Sequence, residues 1–468
     1  MNTSFFMHLR DLSLCVAVII GAISCPALAG PAFNCPDLLN KEKISLDEMV
    51  QGSEGWFYRI KSDLQSPLLI TAETQGLFAR LATSLQQRGT ALILAPVPPR
   101  AAIAHAYLDE TDPLQQGFDV EKSLRSYRQV TRALREAGVL VPNLLKTTPP
   151  PQDMPADQFF FFKRDHHWTP YGARAVAQKI AETMKKTKQF AALKPAEFQT
   201  KKLGDSGWKP SMALEIQRLC SDETPAEPLE RFETQRVAQD NPDDLFGDST
   251  QSEPAVLVGS SFSAITEFNF DGFLMGASGI EIANRAISAG QQFNAIVSFV
   301  SSPAFETAHP PFLIWEMPSL NNISEASLIM FRQLIPATHG ACSIENALAS
   351  NKISIKDGAA TSLLSVPAEK KVTGNQYYLY LTSSNLGLAK FTLQMDYDDE
   401  DGEWFTVDRS QHFDNSGRFF VELSDEIEGN LTAISIDGMP NTNAEMEVRL
   451  CQAPKATGEE TKRTQAEQ

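Results

Sequence analysis

The chain has 468 residues, 42% hydrophobic, 21% charged and 9% aromatic, so it carries ample apolar material for a core and is not compositionally disordered. Its 41 Lys and Arg against 58 Asp and Glu leave a formal charge of -17, the reverse of a nucleic-acid binder's basic footprint. Nucleic acid is thereby excluded as an expected partner, any polyanionic ligand has to be met by a local basic site, and the length suggests two domains.

Arg10 precedes the apolar run Leu12 to Ser24, which is short for a membrane span, and Ala27-Leu28-Ala29 before Gly30 forms an A-x-A cleavage pattern. Residues 1–29 therefore read as an export signal, and the mature protein as one delivered to an oxidising compartment. Without Cys15 and Cys25 the chain keeps Cys35, Cys220, Cys342 and Cys451, an even number that suggests two disulfides. Three pairings are open; if each domain closes on itself, Cys35 pairs with Cys220 and Cys342 with Cys451. The spacing has no C-x-x-C character, and neither a metal nor a cofactor is expected.

Over residues 30–338, short apolar runs alternate with amphipathic segments. Thr90 to Ala95 is a buried-strand run stopped by Pro96, Pro98 and Pro99. Val120, Leu124, Tyr127, Val130 and Leu134 mark one face of a helix that Gly138 ends, and Val139 to Val141 follows as a further apolar run. Ala255 to Val258, Ile280 to Ala283, Ala295 to Val300 and Phe312 to Trp315 also read as buried strands. This is the pattern of an α/β domain with a mostly parallel sheet. Over 339–453 the pattern changes to short alternating strands, Tyr377 to Thr382, Phe391 to Tyr397, Trp404 to Val407, Arg418 to Leu423, Leu431 to Ile436 and Glu445 to Leu450. Turn-rich pieces separate them, as expected of an antiparallel β-sandwich. The polar tail 454–468 reads as disordered.

Two segments carry the residue types of nucleophilic catalysis. In Asp165-His166-His167-Trp168-Thr169-Pro170, an extended stretch enters a helix with Thr169 as N-cap and Pro170 as first residue. Alternate side chains of an extended chain share a face, so the Asp165 carboxylate can hold the Nδ1 proton of His167 and leave Nε2 as a base. In Val258-Gly259-Ser260-Ser261-Phe262-Ser263, a strand ends at a glycine and presents hydroxyls at its carboxyl end, where open α/β sheets place their sites. Each segment alone has an ordinary reading, a capping loop or a common turn. Together on one domain they supply nucleophile, base and orienting acid.

These blocks, Asp165-x-His167-Trp168-Thr169 and Gly259-x-Ser261-Phe262-Ser263, together with the export signal and the β-rich second domain, resemble the AlgX family of alginate O-acetyltransferases. The resemblance covers nearly all of the mature chain and implies an SGNH-hydrolase-like domain followed by a β-sandwich carbohydrate-binding module, in the periplasm. It implies Ser261 as nucleophile, His167 as base and Asp165 as orienting acid, in the reverse of the usual SGNH order. Related members often carry Asp where Ser260 stands. Asn284-Arg285 and Gly290-Gln291 are candidates for completing an oxyanion hole.

The implied substrate is polymannuronate, an anionic polysaccharide, acetylated by a donor the sequence does not name and handled with proteins of an export complex. Lys163, Arg164 and Arg285 near the chemistry, and Lys390, Trp404, Arg409 and Arg418 in the module, are the expected contacts to that polymer. An esterase with the same three residues and a non-catalytic polysaccharide-binding scaffold are the alternatives.

Overall fold

The structure is a computed structural model that describes residues 49–65, 68–146, 159–220, 223–237, 253–318, 323–356, 360–399, 402–437 and 443–454. The expected export signal, Cys35 and nearly all of the tail lie outside the described residues.

The first domain is built on four parallel strands in the order Ala91–Pro96, Phe312–Met317, Ala255–Val258, Ile282–Asn284. Every residue of the first three is buried, as a sheet covered on both faces requires. Because strand side chains alternate, each strand feeds two cores. Leu92, Leu94, Val256, Val258, Leu313 and Trp315 pack with helices Ala72–Gln87, Val120–Glu136 and Ile323–His339. Ile93, Ala95, Leu257 and Ile314 pack on the other side with helices Pro170–Met184 and Phe270–Ser278.

Four differences from the sequence reading have physical causes. Ala295 to Val300 belongs to a helix, Asn294–Val300, with every residue buried; an apolar run buried all round has no period by which to separate helix from strand. The run at Val139 to Val141 contributes a single parallel bridge, Leu140 to Ile93. An unforeseen hairpin pairs Phe198–Trp208 with Glu227–Arg236, and its exposed, polar first strand lacks the alternation that marks a half-buried one. Further strands, Ala349–Ile355 and Thr361–Ser365, were likewise not legible in the pattern.

The second domain is a pair of four-stranded antiparallel sheets. One runs Thr361–Ser365, Leu431–Ile436, Lys390–Tyr397, Gly402–Asp408, the other Arg418–Glu422, Tyr377–Ser383, Ala444–Gln452, Ala349–Ile355. Leu379, Leu381, Leu393, Met395 and Val448 lie in the core between them. Tyr378, Tyr380, Phe420 and Cys451 instead join the core of the first domain, so the module is packed against its neighbour and not merely tethered. Cys342 and Cys451 are bridged, with Cα atoms 5.8 Å apart. Cys220 is disulfide-bonded as well. No helix among the described residues is long and apolar enough to cross a membrane.

Candidate active site

The loop before helix Pro170–Met184 sets out the first half of the site. Thr169 caps the helix by accepting from the Gly172 backbone, and Pro170 occupies its first turn. Gly172 has to be glycine, because a Cβ there would sit 2.3 Å from the Phe160 carbonyl oxygen. Upstream, the buried Arg100 donates to the carbonyls of Phe162 at 2.7 Å and Lys163 at 2.9 Å. The same guanidinium donates to the Phe57 carbonyl at 2.6 Å and lies over the Trp56 ring. The loop is thus clamped on both sides of Asp165.

Asp165 is fully buried and accepts four hydrogen bonds. Oδ1 takes the backbone N–H of His167 at 2.9 Å and its Nδ1 at 2.6 Å. Oδ2 takes Trp208 Nε1 at 2.7 Å and the Ser211 backbone N–H at 2.6 Å. Burial alone pushes the carboxyl up, but the hydrogen bond and charge of His167 outweigh it, and the acid ends well below the ordinary carboxylate range. With its proton on Nδ1, His167 presents Nε2 as an acceptor, 2.7 Å from the Ser261 hydroxyl.

Ser261 opens the short helix Ser261–Ala264 at the carboxyl end of strand Ala255–Val258. Ser260 is the N-cap, its Oγ accepting from the Phe262 backbone at 3.3 Å. The hydroxyl, imidazole and carboxylate therefore stand in series, with His167 and Ser261 94 residues apart in sequence, an arrangement in which the imidazole can take the hydroxyl proton and the carboxylate steadies the resulting charge.

Ser261 opens into a cleft of about 480 Å³ whose lining includes Arg59, Lys61, His166, Phe262, Gly290 and Gln291. His166 lies beside His167, their ring centres 3.9 Å apart, and its Nδ1 meets Ser211 Oγ at 2.9 Å. Burial, and then the like charge of His167, hold it well below the usual histidine value. Asp165, His166 and His167 are close enough together to hold a metal ion. Their donor atoms are spent otherwise: both Asp165 oxygens and both His167 ring nitrogens have hydrogen-bond partners.

The other expected site residues divide sharply. Gly290 and Gln291 line the cleft, and neighbouring Ala289 and Gln291 itself hold left-handed backbone, with φ of 59° and 47°. Asn284 is turned away, donating to the Ser263 carbonyl at 2.9 Å. Arg285 is outside the cleft, exposed and paired with Glu253 at 2.7 Å. Lys163 reaches the Glu54 carbonyl at 3.1 Å.

Arg164, Arg409 and Arg418 are corrections: expected at a polymer-binding surface, they are buried. The Arg164 guanidinium pairs with buried Glu227. Arg409 donates to the Arg418 carbonyl at 3.0 Å and to Gln333 at 3.3 Å, and burial pulls its pKa down to about 9. Arg418 pairs with Glu306 of the first domain. Arg418 through Glu306, and Arg409 through the neutral Gln333, tie the second domain to the first, while Arg164 is paired within the first domain, and no spacing in the sequence reveals these partners. Lys390 and Trp404 remain on the surface of the module, Trp404 with 61% of its area exposed.

Sequence reasoning missed Trp208, Ser211, Arg100 and Glu316. Three of them have no local signal; Glu316, a lone acid in the apolar strand Phe312–Met317, has one.

Residues 49–319 match the family described as SGNH hydrolase-like domain, acetyltransferase AlgX, and residues 341–464 match a C-terminal carbohydrate-binding module. The alginate biosynthesis protein AlgX of Pseudomonas aeruginosa is 28% identical over 414 residues, covering 87% of this chain and 85% of its own length. A probable alginate O-acetylase, AlgJ of Pseudomonas putida, is 31% identical over 251 residues, 53% of this chain and 62% of that protein. The solved structure of Pseudomonas aeruginosa AlgX superposes with a TM-score of 0.75 at 25% identity, covering 87% of this chain and 95% of that one.

Proposed function

Since this chain belongs to the family of AlgX acetyltransferases with an SGNH hydrolase-like domain, we propose that it transfers acetyl groups to hydroxyls of mannuronate residues in alginate, in the periplasm, through an acetyl-Ser261 intermediate. The observation that carries this is the hydrogen-bonded series Asp165, His167, Ser261. His167 Nε2 takes the Ser261 proton as Oγ attacks the carbonyl carbon of an acetyl donor. Collapse of the tetrahedral intermediate expels the donor's leaving group, which receives that proton from His167. A sugar hydroxyl then gives its proton to Nε2 as its oxygen attacks the acetyl carbon, and Ser261 leaves as the free hydroxyl with the proton returned. Donors to the tetrahedral oxyanion would come from the backbone at Ser261 and from Gln291 in the loop that shares the cleft, the Gly290 N–H being donated to the Ile287 carbonyl at 3.0 Å.

An acidic protein handling a uronic acid polymer needs local cations. Lys61 at the cleft is available to one carboxylate, the neighbouring Arg59 guanidinium being paired with Asp63 at 2.9 Å. On the module, the register sets Trp404 opposite Gln394 and Lys390 opposite Asp408, so Trp404 and Lys390 share one face with Thr392 and Thr406. An exposed indole flanked by polar side chains is a stacking platform for a pyranose ring. Trp404→Ala should weaken calorimetric binding of mannuronate oligomers by about tenfold, and an unchanged affinity would place the polymer elsewhere.

The decisive experiment incubates mannuronate oligomers and p-nitrophenyl acetate with the mature protein or with Ser261→Ala and weighs the products by mass spectrometry. Gains of one acetyl unit that the variant does not produce are expected. Acetate release without any gain would assign water as the acceptor and make the protein an esterase; neither, with oligomers still bound, would make it a scaffold.

A further inference from the structure

Glu316 takes no part in the proton path, yet it lies directly beside the turn that carries Ser261. The pairing of Val258 with Trp315 brings the ends of two neighbouring strands level, so the Gly259 turn lies against Glu316. The Glu316 side chain is fully buried. Its Oε2 accepts from the Ser260 backbone N–H at 2.8 Å and from Ser263 Oγ at 3.0 Å, and Ser260 Oγ lies 3.1 Å from Oε2 and 3.2 Å from Oε1. A Cβ at Gly259 would come within 2.5 Å of that Oε2, so the close approach of carboxylate and turn is what demands glycine here.

A buried carboxylate without a cation is costly in the interior of a sheet, where an apolar residue would pack at no such cost. No charged side chain acts on Glu316 among the described residues; only Ser260 and Ser263 do. Ser260 Oγ already accepts from Phe262 N–H, which directs its own proton toward the carboxylate. Three donors thus converge on one acceptor group, and all three belong to the residues on either side of the nucleophile.

We propose that Glu316 is a positioning residue for acetyl transfer: by gripping Ser260 and Ser263 on both sides of Ser261, its carboxylate holds the Ser261 hydroxyl against His167 Nε2. The inference rests on Ser261 being the nucleophile. The grip belongs to the ionised form, because a proton on Glu316 adds a fourth hydrogen to the cluster and obliges one hydroxyl to turn from donor to acceptor. Burial pushes this carboxyl up to about 7, with the hydrogen bonds from Ser260 and Ser263 pulling the other way, so the turn is held more tightly as pH rises through neutrality.

The test is kcat and KM for acetyl transfer from p-nitrophenyl acetate to mannuronate oligomers, from about pH 5 to about pH 9, in the wild type, Glu316→Gln, Glu316→Asp and Ser261→Ala. Glu316→Gln should lower kcat about tenfold at pH 8 with KM within about twofold, and its kcat profile should rise less steeply through neutrality than the wild type's, the deficit closing toward pH 5. Glu316→Asp should fall between the two in kcat and in steepness. Wild-type kcat and pH profile in Glu316→Gln would overturn the proposal, as would equal, pH-independent losses in the Gln and Asp variants. Should Glu316→Gln fail to fold by circular dichroism, Glu316→Asp decides alone: a kcat deficit against the wild type that widens as pH rises through neutrality supports the proposal, and a pH-independent one ends it. Full turnover by Ser261→Ala would remove the nucleophile assignment itself; its inactivity beside an unaltered Glu316→Gln would remove only the role of Glu316.

Discussion

Asp165 and Glu316 both reach Ser261, the first through His167 and the second through Ser260 and Ser263, and both are fully buried. Burial pushes each carboxyl up, yet Asp165 ends far below its ordinary value and Glu316 at about 7. The difference lies in their partners. Asp165 faces two imidazoles and accepts four hydrogen bonds, whereas Glu316 accepts from two serines and meets no charge among the described residues. A carboxylate opposite a base that becomes cationic stays ionised whatever the pH of the compartment, while one held by neutral donors alone is left able to respond to it.

Breaking the Asp165 side should have the largest effect. Asp165→Asn keeps the shape but not the charge and releases the tautomer of His167; acetyl transfer should fall by roughly 10³- to 10⁴-fold, as read from kcat at neutral pH. A loss under about tenfold would show that His167 is oriented by something else.

The next effect concerns stability. Glu316 keeps its proton up to about 7 in the folded chain, but releases it near the ordinary value of 4.5 when unfolded. Between those values the native state binds more protons, so the contribution of this group is fully present below about pH 4.5 and is lost as pH rises through about 7. The gap corresponds to about 3 kcal/mol. Urea denaturation at pH 5 and pH 8 should show that much less pH dependence in Glu316→Gln than in the wild type; identical slopes would mean that Glu316 titrates normally. Asp165 has the opposite sign, its contribution being lost only as pH falls below the ordinary carboxyl range.

Trp208→Phe keeps the ring against Phe268 but removes the donor to Asp165 Oδ2. A hydrogen bond to a charged group is worth about 1.5–3 kcal/mol, so kcat should drop about tenfold or somewhat more. The acid limb of the profile should move to higher pH, and an unmoved limb would show Ser211 sufficing alone. The smallest change is expected from Ser263→Ala, which takes one of the donors from Glu316. About 1 kcal/mol of stability at pH 8, and a kcat rise displaced upward in pH, are the readouts.

The Asp165–His167 half of the site was legible because it is local, whereas the separation of His167 and Ser261 is closed only by the fold. Thr169 and Pro170 start a helix by their own side chains, and the spacing of Asp165 and His167 lets one reach the other within three residues. The apolar runs Thr90 to Ala95, Ala255 to Val258 and Phe312 to Trp315 became the buried strands Ala91–Pro96, Ala255–Val258 and Phe312–Met317. Asn294–Val300 did not, since a fully buried segment carries no period. The expected polymer contacts fared worst. A cation in a sequence has no partner, and whether it greets a ligand or a neighbouring carboxylate depends on what packs against it, as Glu227 does on Arg164 and Glu306 on Arg418.

By itself the sequence determined the α/β and all-β halves and the local approach of Asp165 to His167, because hydrophobic period and short-range hydrogen bonding act over a few residues. Only the tertiary structure decided that Ser261 meets His167, that Trp208 and Ser211 donate to Asp165, that Ser260 and Ser263 donate to Glu316, and that Arg409 and Arg418 reach Gln333 and Glu306 of the first domain. Those outcomes follow from desolvation and charge pairing between groups brought together across the fold, and both energies exist only once distant segments have excluded water from between them.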